Sequence, residues 1–314
     1  MRVAFLGFGQ IAGSVARALR ASPDPRWQRA HLAAWSPTGV GPARARRDGT
    51  LDLAASDAAS ALDGADIAIL GAPPIQVLGL IDELGDALRQ ALAPDAILTD
   101  VASTKAAIME RAARQGLRFV GGHPMAGREQ AGYEAADAAL FIGRPWIIVP
   151  GQDAAEADVE RVEDLARAIG SNPLRMTGPA HDAATAAISH LPLLVSAALV
   201  EAVAGGASGP AGAAGPDGAT ERPVWVDAAP IAAGGWRDTT RLARGDVAMG
   251  SGIIATNAGP IAALLREMRR VLDEWQAELD RPAGPDAEWV AKRLAVARDR
   301  LEHPPGDAGS GSPE

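Results

Sequence analysis

Uninterrupted apolar runs punctuate the first half of the chain, and helical patterning fills the second. The runs "RVAFLGF" (2–8), "HLAAW" (31–35), "DIAILGA" (66–72), "AILTDV" (96–101), "RFVGG" (118–122) and "PWIIVP" (145–150) predict strands. They lack the polar alternation of a half-solvated strand, so they suit a parallel sheet covered on both faces. Helical segments lie between most of them, and right-handed crossovers then give a doubly wound sheet. The helix in "AAEADVERVEDLARAIG" and the short strand in "NPLRMTG" carry this unit to residue 178.

From 181 onward every predicted element is helical, apart from "GGASGPAGAAGPDGATERP" (205–223), whose composition suits a flexible loop. "PIAALLREMRRVLDEWQAELD" (260–280) and "DAEWVAKRLAVARDRLEH" (286–303) predict further helices, and the final "PPGDAGSGSPE" reads as disordered. The expected fold class is α/β: a doubly wound, Rossmann-type, mostly parallel sheet followed by an all-helical dimerisation domain. The expected domains are a dinucleotide-binding domain at 1–178, a helical substrate and dimerisation domain at 179–280 containing the 205–223 loop, and a C-terminal helix and disordered tail at 281–314.

Composition narrows the function classes. A chain of 314 residues is long enough for more than one domain. Its net charge of -9, from 39 acidic and 30 basic residues, argues against nucleic acid as the main partner. With no cysteine, disulfides and thiolate metal sites are excluded, and a cytoplasmic location is expected. The apolar N-terminus is broken by glycines and followed by Arg17 and Arg20, unlike a signal peptide. The run 183–203 approaches membrane-spanning length, but it carries Ser189, His190 and Pro192 and lacks a basic flank. A buried helix in a core or a dimer interface is the expectation, with no membrane partner.

Gly7-Phe8-Gly9-Gln10-Ile11-Ala12 follows the first strand and opens a helix, the context in which a dinucleotide fingerprint places a pyrophosphate on a helix N-terminus. Ala72 and Pro73 close the third run and join the expected cofactor contacts. The second strand ends in Trp35-Ser36-Pro37-Thr38, without the carboxylate that accepts the ribose hydroxyls of NAD. Arg44, Arg46 and Arg47 either meet a 2′-phosphate or form a solvated helix face. NADP is favoured over NAD, with Ser36 and Thr38 at the ribose.

Ser103, Thr104 and Lys105 follow the fourth run at the carboxyl edge of the sheet, where open α/β sheets bind ligands. Ser103 is either a helix cap or a site residue. His123, in "GGHPMAGREQAG", closes the next strand at the same edge and is either a packed histidine or a catalyst. Arg237 and Arg241 in "GGWRDTTRLA" suit a carboxylate or a surface ion pair. His190 is balanced between structure and function, whereas His181 reads as structural. No His and carboxylate cluster has metal spacing.

Taken together, "GFGQIAGS" (7–14), "DVASTK" (100–105), "GGHPMAGREQAG" (121–132), "LFIGRPWIIVP" (140–150), "HDAATAAISHLP" (181–192) and "GGWRDTTRLA" (234–243) resemble the prephenate/arogenate dehydrogenase family of tyrosine biosynthesis. The likeness runs in family order over about residues 1 to 275. It implies NAD(P)-dependent oxidative decarboxylation of prephenate or arogenate by a homodimer. It also implies His123 as proton acceptor, Ser103 as the residue that orients it together with substrate and nicotinamide, and Arg241 as the grip on a substrate carboxylate. His190, Arg128 and Arg237 join the substrate-binding candidates. The chain departs from the family at Leu193, where prephenate-specific members often carry a second histidine, and this points toward arogenate. Arg128 replaces a small hydroxyl residue and offers a new charge, and Gly250 replaces a common tryptophan. A β-hydroxyacid dehydrogenase or imine reductase has a similar build, and an NADP-binding protein without catalysis shares the fingerprint. The 181–203 stretch lacks the pocket-facing lysine or aspartate expected of the former.

Overall fold

A computed structural model of the chain describes residues 1–127, 130–205 and 225–303. Met1–Ala262 form one compact unit and Ala263–Glu314 a second. Most of the expected 205–223 loop and the tail from 304 onward lie outside the described residues.

The strands are β1 (Arg2–Leu6), β2 (His31–Trp35), β3 (Leu53–Ala54), β4 (Ile67–Leu70), β5 (Ile97–Asp100), β6 (Val120–Pro124), β7 (Pro145–Pro150) and β8 (Asn172–Arg175). Between them run α1 (Gln10–Arg20), α2 (Pro25–Gln28), α3 (Val40–Arg47), α4 (Ala58–Leu62), α5 (Pro74–Ala91), α6 (Ala106–Arg114) and α7 (Glu156–Ala168). After β8 come α8 (Gly178–Thr185), α9 (Leu191–Ala204), α10 (Trp225–Ala228), α11 (Gly234–Thr239), α12 (Val247–Thr256), α13 (Ala258–Leu279) and α14 (Ala287–Glu302).

The first five strands form one parallel sheet in the order β3-β2-β1-β4-β5. Both faces are covered, as the apolar runs require. Val3 and Phe5 pack with Val15, Leu19 and Phe141 on one side, while Ala4 and Leu6 pack with Leu62, Leu70 and Val77 on the other. Strand order reverses between β1 and β4, which opens a crevice beyond their carboxyl ends.

The sheet is not continuous through the later strands. β6, β7 and β8 form a separate three-stranded sheet, with β6 antiparallel to β7 and β7 parallel to β8. Among the described residues β6 meets β5 at one bridge, Leu98 with Phe119, beside the bond from Leu98 N–H to the Arg118 carbonyl. Among the described residues no crossover helix separates β6 from β7, and the chain returns antiparallel.

The apolar stretch forms one helical run, Gly178–Ala204, in which a π-helical turn, Ala186–His190, joins α8 to α9. Pro192 has no N–H for the Ile188 carbonyl, and the wider turn lies where that bond is lost.

Candidate active site

The fingerprint folds as its sequence requires. Gly7 has φ +85°, and a Cβ there would stand 2.7 Å from the Gly71 carbonyl oxygen, so the turn admits glycine alone. A Cβ on Gly9 would meet open space, and among the described residues no side chain caps α1. A cavity of about 660 Å³ lies there, lined by Gly7, Gly9, Ser36, Thr38, Ala72 and Pro73 among others. Gln10, Ile11 and Ala12 open α1 but stand outside that lining. Sequence reading missed the opposite wall, Tyr133 and Glu134. Tyr133 stacks on Phe8 with centroids 5.5 Å apart and bonds to Asp48 and Thr50, while Glu134 pairs with Arg44.

His123 is a strand residue. It belongs to β6, in register with Ile147 of β7, at the carboxyl edge beyond β5. Its Nδ1 lies 2.8 Å from Nε2 of His181, whose Nδ1 lies 2.8 Å from Oδ1 of Asp182. The Asp182 carboxylate also accepts the backbone N–H of Lys105 at 2.7 Å and of Ala106 at 2.8 Å. It therefore satisfies the first turn of α6 from another helix. Burial alone would raise the Asp182 pKa, but the bonds from His181, Ala106 and Lys105 outweigh it and hold the carboxyl below the ordinary aspartate value.

These contacts fix the tautomers. An ionised carboxylate only accepts, so His181 donates from Nδ1 and presents a bare Nε2. His123 must then donate from its own Nδ1, which leaves its Nε2 as an unprotonated acceptor. Burial, and then the positive potential of His181, Lys105 and His190, keep the His123 pKa well below the ordinary histidine value. The ring is neutral at neutral pH and holds a basic nitrogen ready.

His190 lies beside this chain, 1% exposed. Its Nδ1 accepts from the Asn257 amide at 2.9 Å, and the same amide donates to the Asp182 carbonyl at 2.8 Å. The proton is then on Nε2, which has no partner among the described residues. Burial first, then His181, against the opposing pull of Asp182, lowers its pKa to about 4.

Comparisons with known proteins place the chain in a family. A family model for the nucleotide-binding domain of prephenate dehydrogenase matches residues 36–173. The solved Synechocystis arogenate dehydrogenase is 30% identical, with 96% of this chain and 100% of that one covered and a TM-score of 0.72. The chain belongs to the prephenate/arogenate dehydrogenase family. Prephenate dehydrogenase of Bacillus subtilis is 28% identical over 297 residues, which span 93% of this chain and 73% of that protein. The A. aeolicus prephenate dehydrogenase, solved with hydroxyphenyl propionate and NAD+, shares the fold at a TM-score of 0.79 with 24% identity, covering 96% of this chain and 98% of that one.

Ser103 lies in the turn between β5 and α6 and neither caps α6 nor bonds to His123; the Nδ1 of His123 is taken by His181. Arg237 and Arg241 are exposed, on α11 and on the 3-10 turn Arg241–Arg244. That turn is pinned to α9 by Ser196, whose hydroxyl donates to the Thr239 carbonyl at 3.0 Å and accepts the Ala243 N–H at 3.1 Å. Two departures from the family pattern meet: a Cβ on Gly250 would lie 3.6 Å from Leu193 Cδ2. Arg128 lies outside the described residues. Sequence reading had left His181 as structural and passed over Asp182, Asp100 and Asn257. The adjacent His and Asp of "HDAATAAISH" were the available signal.

Proposed function

We propose that the chain catalyses oxidative decarboxylation of arogenate or prephenate, with NADP as the hydride acceptor. The carrying observation is the Asp182–His181–His123 chain, which ends in a bare imidazole nitrogen at the edge of a nucleotide-binding sheet. When bound, the cofactor's nicotinamide supplies the acceptor for the hydride leaving the hydroxyl-bearing ring carbon. His123 Nε2 accepts the hydroxyl hydrogen bond and takes the proton as the C–O bond becomes a carbonyl. Asp182, acting through His181, stabilises the resulting imidazolium without taking the proton itself. Loss of carbon dioxide makes the ring aromatic, so orientation is the main task left to the protein. Ser103 and the Nε2–H of His190, neither with a partner among the described residues, are assigned to the ligands. Arg241 is assigned to a substrate carboxylate.

The residues fit NADP. The Gly9 opening and the bare N-terminus of α1 suit a pyrophosphate, and β2 ends without an acid. Ser36 and Thr38 line the cavity, and Arg44 stands at its wall through Glu134. Leu193 in place of a second imidazole favours arogenate. A homodimer is inferred from the Gly178–Ala204 run: it is apolar, 22% of its most apolar window is buried, and Ile188 is 69% exposed, so a second copy is the cover it calls for.

One grid of arogenate and prephenate against NADP+ and NAD+ tests the function. Turnover is expected, fastest with arogenate and NADP+, and a blank in all four cells refutes the proposal. Light scattering tests the dimer, and a monomeric mass at micromolar concentration refutes it.

A further inference from the structure

We propose that the buried Lys105–Asp100 pair is a positioning element for His123, suspending the strand that carries the imidazole and holding a fixed positive charge beside it. The inference rests on reading His123 as the proton acceptor. Both side chains are completely buried and bonded to each other. Asp100 accepts Lys105 Nζ and the Ala102 N–H, at 3.0 Å, on one oxygen, and the Gly122 N–H, at 3.0 Å, on the other. β6 has left the β5 ladder after the Leu98–Phe119 bridge. Two strand positions later, the Asp100 carboxylate stands where a ladder carbonyl would have accepted, one residue before His123.

The glycines of "GGH" record the same construction. A Cβ on Gly121 would lie 3.2 Å from Lys105 Cδ, and one on Gly122 would lie 2.5 Å from the Asp100 carbonyl oxygen and 2.8 Å from Trp146 Nε1. The missing side chains give the lysine stem and the aspartate their space. Lys105 also donates its backbone N–H to Asp182 at 2.7 Å, so one residue touches the carboxylates that anchor both ends of the relay.

Stability does not account for this pair. Replacing a buried ion pair with apolar groups of similar volume is often neutral or stabilising. What such a pair does supply is a fixed geometry: burial lowers the Lys105 pKa, and the bonded Asp100 opposes that and keeps the ammonium in place. The groups acting on the His123 imidazole are Lys105, His181 and His190, which disfavour its proton, with the carboxylates of Asp182 and Asp100 behind them.

The test uses Lys105→Met in the full chain and the charge-neutral double variant Asp100→Asn/Lys105→Met. The titration midpoint of the His123 imidazole is read by NMR without substrate, its resonance assigned with His123→Asn, beside kcat, KM and Tm. In Lys105→Met the cation beside the imidazole is gone, so the His123 midpoint moves to higher pH and the acid limb of kcat/KM moves with it. The kcat falls about 10- to 100-fold, the scale on which misplacement by about 1 Å acts, while the cofactor KM is kept. The double variant regains the Tm but not the kcat. A folded Lys105→Met protein with the wild-type midpoint and kcat overturns the proposal, and if that variant does not fold, wild-type kcat in the double variant does so. Because the midpoint is measured without substrate, its result stands apart from the substrate grid.

Discussion

Asp182→Asn isolates the tautomer argument from gross structure. An amide has one acceptor oxygen, whereas the Lys105 N–H and His181 Nδ1 use Oδ1, at 2.7 and 2.8 Å, and the Ala106 N–H uses Oδ2 at 2.8 Å. With the amide oxygen turned to Ala106, the amide nitrogen takes the Oδ1 place and faces His181 as a donor, so His181 Nδ1 accepts and its proton moves to Nε2. That N–H points at His123 Nδ1, which accepts in turn, and the His123 proton is driven onto Nε2. The nitrogen required as a base is now capped. To expose it, the protein must give up one buried hydrogen bond, at a cost of about 1–3 kcal/mol. That corresponds to about 5- to 150-fold in kcat, before the lost stabilisation of the imidazolium is added. A directly bonded aspartate in a serine protease triad is worth about 10⁴-fold, an upper bound for a relay with a ring between. Replacing charged acceptor bonds by neutral ones also lowers stability by about 1–2 kcal/mol. The assay is steady-state turnover by reduced-cofactor absorbance, with cofactor affinity from fluorescence and Tm from a thermal melt. Unchanged cofactor affinity with kcat down about 10²-fold is the expected result. Turnover at the wild-type rate in a folded Asp182→Asn enzyme would show that the relay does not set the His123 tautomer.

Three further outcomes follow from other parts of the site. Ser36→Asp puts a carboxylate at the end of β2, and like-charge contact with a 2′-phosphate costs several kcal/mol, so the NADP/NAD ratio of kcat/KM drops by about 10²-fold or more; an unmoved ratio places the ribose elsewhere. Gly7→Ala forces a Cβ to 2.7 Å from the Gly71 oxygen at φ +85°, and strain of about 1–3 kcal/mol lowers both Tm and cofactor affinity; an unchanged Tm contradicts this. Burial holds His190 to about 4 in the folded chain, against about 6.5 unfolded. As pH falls below about 6.5 the unfolded state takes up a proton that the native state refuses, so this destabilisation is absent above about 6.5 and grows down to about 4. His123, also lowered, adds in the same direction. Denaturant midpoints for His190→Gln should depend less on pH across that window than those of the wild type, and parallel curves remove His190 as the cause.

The parallel core was legible because strands buried on both faces leave continuous apolar runs, and HLAAW and PWIIVP coincide with β2 and β7. Strand direction is not written in such runs. The antiparallel turn of β6 into β7 is set by what lies between them, residues 125–144, where a 3-10 turn at Tyr133–Ala135 stands in place of a crossover helix. β3, of two residues, is too short to carry a pattern at all.

The site divides along the same line between local and distant causes. Gly7, Ser36 and Ala72 could be placed because each follows its own strand, and strand ends share one edge. Asp182 could not, because its partners at Lys105 lie 77 residues away and His181 meets His123 across 58. Nothing within either segment encodes that meeting. The glycines before His123 show how a correct motif invites a wrong physical cause: backbone freedom suggests a loop, yet both are in a strand, with space filled by Lys105, Asp100 and Trp146. Their function is room for neighbours. A substitution at Gly122 should therefore be read first as a displacement of Asp100 and the strand it holds, with His123 moved as the consequence.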